Sequence, residues 1–210
     1  MLEIINLEKH YKNKTILAGF NLKLDSKGII FFLGKNGAGK TTFFNCIMGF
    51  EDYLGEIIKP VNIAAVFDES QLYSNLNAYD NIKLLVGRGL EQEERVLLLE
   101  YIDDSVLERK IGSYSLGQKK IISIFIALFT KPEMLILDEV SNGLDYETAK
   151  QVKNLLISCK EKMLILVCGH QFDFYNQILD EVFVINDMQL IHVDVNKFTD
   201  LESVYEQYVG

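Results

Sequence analysis

Cysteine and proline are scarce in this chain of 210 residues: three cysteines, Cys46, Cys159 and Cys168, and two prolines, Pro60 and Pro132. The cysteines show neither close pairing nor the spacing of a metal site, which argues against a disulfide scaffold and points to a reduced, cytoplasmic setting. With so little proline and no Gly/Ser-rich or low-complexity stretch, nothing marks a linker, and no internal repeat is found. Positive charge is in deficit, since 21 Lys plus Arg against 30 Asp plus Glu give a net charge of −9. Such a chain is a poor partner for a phosphate backbone, so direct nucleic-acid binding is not expected. Long apolar runs are missing too. The longest near-continuous one, Ile121 to Phe129, is interrupted by Ser123 and falls well short of the roughly twenty residues a spanning helix needs, so no membrane insertion is expected. Met1 to Asn6 has no basic region leading into an apolar stretch, and no export signal is expected. What is present is apolar matter: 49% hydrophobic and 11% aromatic residues exclude a disordered chain and suit one domain, or one domain with an inserted piece.

The first third reads as β structure. Leu2 to Leu7, Gly19 to Leu24 and the apolar run Ile29 to Leu33 are strand segments, the first two joined by a hairpin at Lys12-Asn13-Lys14. Lys40 to Gly49 turns helical, and Glu56 to Ile58 and Ile63 to Phe67 add two short strands. From Ala78 to Thr130 no convincing strand is found, and Tyr79 to Val86, Gln92 to Tyr101 and Leu116 to Phe129 read as helices. Alternation then returns: strand Met134 to Leu137, helix Tyr146 to Ser158, strand Met163 to Val167, helix Phe172 to Leu179, strand Val182 to Ile185, and an acidic amphipathic helix from Thr199 to Tyr208. The pattern predicts an α/β fold with a parallel sheet covered on both faces.

Gly34-Lys35-Asn36-Gly37-Ala38-Gly39-Lys40-Thr41-Thr42 matches the phosphate-loop pattern, between an apolar strand and a helix as that pattern requires. Backbone N–H groups and the positive helix end converge there on phosphate, Lys40 reaches the β- and γ-phosphates, and the Thr41 hydroxyl ligates Mg²⁺. A second site follows the apolar run Met134 to Leu137. Asp138 and Glu139 stand at the carboxyl end of a strand, where ligands bind in such sheets, so that Asp138 is expected to hold Mg²⁺ through water and Glu139 to polarise the attacking water.

With Ser115-Leu116-Gly117-Gln118 as a third motif, the chain resembles the nucleotide-binding subunits of ABC transporters over essentially its whole length. The family signature is Leu-Ser-Gly-Gly-Gln; Leu116 in place of its first glycine is similar to the bacitracin and lantibiotic exporter branch. The resemblance implies the ABC form of the P-loop fold: residues 1–77 and 131–210 make an α/β core carrying an antiparallel β subdomain, and 78–130 an inserted helical subdomain. It further implies that Ser115, Gly117 and Gln118 meet the γ-phosphate bound by an opposing subunit, that Ser141-Asn142-Gly143-Leu144-Asp145 lines the dimer interface, that His170 orients the water with Glu139, and that Tyr11 stacks on adenine. Taken alone, Ser115 reads as a helix cap, His170 as a cap or surface residue and Tyr11 as a core or hairpin tyrosine. One position departs from the pattern: Asp68 falls where the family has a glutamine near Mg²⁺, Gln71 coming three residues too late. The implied function is Mg²⁺-dependent ATP hydrolysis, with ATP and Mg²⁺ bound, in a homodimer or heterodimer docked on transmembrane permease subunits at the inner face of the membrane, in an exporter. A soluble ABC ATPase acting on ribosomes, DNA or iron–sulfur assembly is the alternative.

Overall fold

A computed structural model describes residues 1–68, 72–194, 196 and 199–210; Gln71 lies outside them. Among the described residues nine strands form two sheets. β1 (Leu2–Tyr11) and β2 (Lys14–Leu24) pair as an antiparallel hairpin, and β4 (Leu54–Ile58) adds to the other edge of β1. Both hairpin strands run further than their apolar runs suggest, because Tyr11 pairs with Lys14 across a loop of only Lys12 and Asn13. In the second sheet, β3 (Gly28–Leu33), β5 (Ile63–Val66), β6 (Met134–Asp138), β7 (Leu164–Cys168), β8 (Glu181–Asn186) and β9 (Gln189–Val193) lie in the order β5-β6-β7-β3-β8-β9.

Strand parity divides the core. In β3, Ile29, Phe31 and Leu33 face one hydrophobic cluster while Ile30 and Phe32 face the other, and β6, β7 and β8 alternate in the same way. The second face meets the N-terminal strands and α1 (Lys40–Met48), through Phe43, Phe44 and Ile47. The first is covered by α2 (Ala78–Val86), α3 (Gln92–Leu99), α4 (Asp104–Leu107), α5 (Leu116–Phe129), α6 (Tyr146–Lys160), α7 (Phe172–Tyr175) and α8 (Leu201–Tyr208). Between α2 and α5 the described residues hold helices, a 3-10 turn at Ile111–Ser113 and a single bridge, Asn77 with Lys110. Among the described residues no helix is long and apolar enough to cross a membrane.

Three expectations are corrected. The sheet is mixed, because β9 runs antiparallel to β8 through a tight turn in which Asp187 and Met188 both take positive φ. α7 stops at Tyr175 instead of reaching Leu179: the chain goes over to a tighter turn in which the Ile178 N–H bonds to the Tyr175 carbonyl, and the Asn176 side chain accepts from the Leu201 N–H. The last helix begins at Leu201, since Asp200 caps it by accepting from the Ser203 N–H.

Candidate functional site

The loop between β3 and α1 is built around glycines. Gly37 has φ +80° and Gly39 φ +106°, in the region that L side chains avoid, and a Cβ on Gly39 would stand 2.9 Å from Ile16 Cγ2. Around Gly37 the space is open, so a ligand can come up to the main chain. Gly39 is also the N-cap of α1 and offers no side-chain acceptor to its first N–H groups. Lys40, 8% exposed, donates to the carbonyls of Gly34 at 2.8 Å and Lys35 at 3.2 Å. Among the described residues no carboxylate pairs with it. A buried ammonium beside free N–H groups is a receptor for an anion, and a polyphosphate fits it.

Parity explains what stands opposite. Asp138 and Cys168 end β6 and β7, and each carries on the alternation of the strand face that packs on α1. The Asp138 carboxylate accepts from Thr41 Oγ1 at 2.9 Å and from Cys168 Sγ at 2.7 Å. Burial first, then the Asp138 charge, push the Cys168 thiol well above its ordinary pKa, so it stays a protonated donor. The donors left for a cation are the Thr41 hydroxyl and the acid oxygens, a hard set beside a phosphate loop, which suits Mg²⁺.

Glu139 follows in a left-handed conformation, φ +58°, its N–H bonded to the Cys168 carbonyl at 3.1 Å. Each of its carboxylate oxygens has a partner: His170 Nε2 at 3.3 Å on one, Asn142 Nδ2 donating at 3.0 Å on the other. His170 Nε2 also faces Asn36 Oδ1 at 2.7 Å. Thus the loop after β7 touches both the phosphate loop and Glu139. Asn36, Gly37, Lys40, Thr41, Asp68, Asp138 and Glu139 line one pocket of about 370 Å³. Lys120 Nζ donates to Asp68 Oδ1 at 2.8 Å and to the Glu139 carbonyl at 2.9 Å.

Other expected residues are not brought to this pocket. Ser115 caps α5 in a reciprocal arrangement with Gln118: the Gln118 N–H donates to Ser115 Oγ at 3.1 Å and the Ser115 N–H to Gln118 Oε1 at 3.0 Å. Gly117 is buried against Thr148, where a Cβ would meet Cγ2 at 2.8 Å. None of the three lines the pocket. Tyr11, at the end of β1, is 41% exposed with Lys9 Nζ 4.6 Å from its ring centroid. A hydrogen bond to the Glu51 carboxylate, and then burial, raise its hydroxyl pKa. Nothing in the sequence pairs Cys168 with Asp138, Asn142 with Glu139 or Lys120 with Asp68. A signal existed for Lys120, which falls on the buried face of α5 with Gly117, Ile121, Ile124 and Ala127.

A phosphate loop at the carboxyl end of a largely parallel sheet, with its threonine bonded to an acid at the end of a neighbouring strand, defines a P-loop nucleotide-binding protein. The family profile described as ABC transporter matches residues 17–142, and the chain belongs to the ABC transporter family, as one of its ATP-binding domains. It is 29% identical over 223 residues to the lantibiotic transport ATP-binding protein SrtF of Streptococcus pyogenes, covering 100% of this chain and 97% of that protein. It is 28% identical over 227 residues to the bacitracin transport ATP-binding protein BcrA of Enterococcus faecalis, covering 99% and 74%. The fold matches that of a dimeric ATP-binding cassette in a post-hydrolysis state bound to ADP and Pi, with a TM-score of 0.78 at 21% identity over 90% of this chain and 96% of that one.

Proposed function

We propose that this chain is the Mg²⁺-dependent, ATP-hydrolysing motor of an exporter that moves a peptide, antibiotic or similar substrate. The transport functions named for its lantibiotic and bacitracin relatives support the substrate class. The observation that carries the hydrolytic reading is Glu139, whose carboxylate is fixed from both sides by His170 and Asn142 at the rim of the phosphate pocket. Gly34, Lys35, Asn36, Gly37, Ala38, Gly39, Lys40, Thr41 and Thr42 hold the phosphates, and Thr41 and Asp138, with the Asp68 oxygen not bonded to Lys120, would hold Mg²⁺, which would supply positive charge against the phosphates. Lys40 exchanges its two carbonyl partners for phosphate oxygens. Glu139 accepts a hydrogen bond from the water that attacks the γ-phosphorus in line; the bond to the ADP oxygen breaks, and ADP and Pi leave. His170 keeps Glu139 and Asn36 in register during that step. Tyr11 stacks on the adenine with the ring face turned away from Lys9.

Ser115, Gly117 and Gln118 serve the pocket of a second copy, or of a close paralogue, in a head-to-tail dimer. Their place outside their own chain's pocket supports this arrangement. The segment 78–130 works as a helical subdomain within a single nucleotide-binding unit. A groove of about 400 Å³ between Phe50, Phe67, Leu72 and Ile126, with Phe50 65% exposed, is where the transmembrane permease docks, which puts the chain at the inner face of the membrane. Glu139→Gln is the test. ATP binding is expected to persist while turnover falls by roughly 10²- to 10⁴-fold; steady-state hydrolysis at the wild-type rate would remove Glu139 from this role.

A further inference from the structure

We propose that Lys120 is a positioning residue that ties α5 to Glu139, and that Asp68 is its counter-charge. The inference rests on the reading of Glu139 as the group that handles the attacking water. Lys120 is 2% exposed, yet it is an ammonium among buried α5 residues that are otherwise glycine, aliphatic or phenylalanine. A buried cation needs acceptors and a compensating charge. The Glu139 carbonyl supplies an acceptor at 2.9 Å and the Asp68 carboxylate supplies acceptor and charge at 2.8 Å. An amide at position 68 could accept the hydrogen bond but would leave the charge uncompensated.

Three segments far apart in sequence meet at this nitrogen: the helix that Ser115 opens, the segment that follows β5, and the residue that follows β6. The Glu139 backbone is held in its left-handed conformation from both sides, its N–H on the Cys168 carbonyl and its carbonyl accepting from Lys120 Nζ at 2.9 Å and from the Asn142 N–H at 3.2 Å. Removing Lys120 releases the shorter of the two bonds to the Glu139 carbonyl and leaves the carboxylate with its partners His170 and Asn142. A shift of α5 relative to the sheet pulls on Glu139 through the same nitrogen. Lys120 is in this way a mechanical link between the helix opened by Ser115 and the chemistry at the end of β6.

The test uses the full-length chain with Lys120→Met, Asp68→Asn, the double variant and, in parallel, Glu139→Gln. Lys120→Met is expected to keep its affinity for ATP within about twofold and its KM unchanged, and to lose roughly ten- to a hundredfold in kcat, as misplacement of a catalytic group does. Amide hydrogen exchange is expected to rise several-fold at residues 139–142 and to stay unchanged in α1. Asp68→Asn lowers the Tm by leaving a buried cation uncompensated, and adding Lys120→Met restores it. Wild-type exchange at residues 139–142 in Lys120→Met overturns the tie to Glu139, and additive Tm changes overturn the pairing with Asp68. If Glu139→Gln hydrolyses ATP normally, the water-handling reading fails, whereas exchange and Tm still judge Lys120 on its own.

Discussion

At Lys40 an ammonium that is 8% exposed rests on two neutral carbonyl oxygens, an arrangement that a phosphate would improve. Lys40→Met removes the charge and keeps the length of the stem, so the fold is expected to survive. ATP at a hundred times its Kd stabilises a protein by about 2.7 kcal/mol. In the wild type this is expected as a rise in Tm on adding ATP, and in Lys40→Met the rise is expected to vanish; thermal melts with and without ATP decide. Residues of this kind were readable from sequence because the chain writes them contiguously: Gly34 to Thr42 act within one turn and one helix end, and Asp138 and Glu139 follow one apolar strand. Lys120 was not readable in the same way. Its partners lie 52 and 19 residues away, and helical spacing puts it on an apolar face without saying what it meets there.

The strands and helices follow from pattern more fully than their ends do. β3, β6 and β7 are apolar runs that parity assigns to two faces, and that parity turns Asp138 and Cys168 toward α1. Ends depend on local geometry that periodicity does not carry, as after Tyr175, where the Ile178 N–H makes a tighter turn, and at the Asp187-Met188 turn, whose positive φ values fall on residues that do not announce them. α3 offers a test at this scale. The Glu94 carboxylate closes a capping box with Glu91 and is gripped by both terminal nitrogens of Arg88, at 2.7 and 2.6 Å. The Arg88 hydrogen bond holds its pKa below the ordinary 4.5, burial opposing and the Glu91 N–H assisting. A carboxyl lowered in the folded state contributes stability that is complete above the unfolded value and is lost as pH falls through the folded one. Glu94→Gln lacks this titration, so its stability is expected to change less than the wild type's between about pH 5 and 3, followed by far-UV circular dichroism in urea.

For the whole molecule, the proposed head-to-tail dimer predicts complementation. Lys40→Met spoils the phosphate loop and Ser115→Ala the surface offered to the partner, so each homodimer has two defective sites. Mixing the two variants creates one intact site in every mixed dimer, and hydrolysis is expected to reappear in the mixture; a mixture as inactive as its components would speak against sites shared between copies of this chain. Sequence by itself determined the α/β alternation, the phosphate loop, the acid pair at the end of β6 and the absence of any apolar run long enough to span a bilayer. These are local properties, written in residue type, period and spacing. Tertiary structure decided that β9 turns back antiparallel, that Cys168 and Thr41 share the Asp138 carboxylate, that His170 reaches both Asn36 and Glu139, and that Lys120 joins Asp68 to the Glu139 backbone. Such contacts depend on which strand ends lie side by side and on which face a helix packs, and the burial of the whole chain sets both at once.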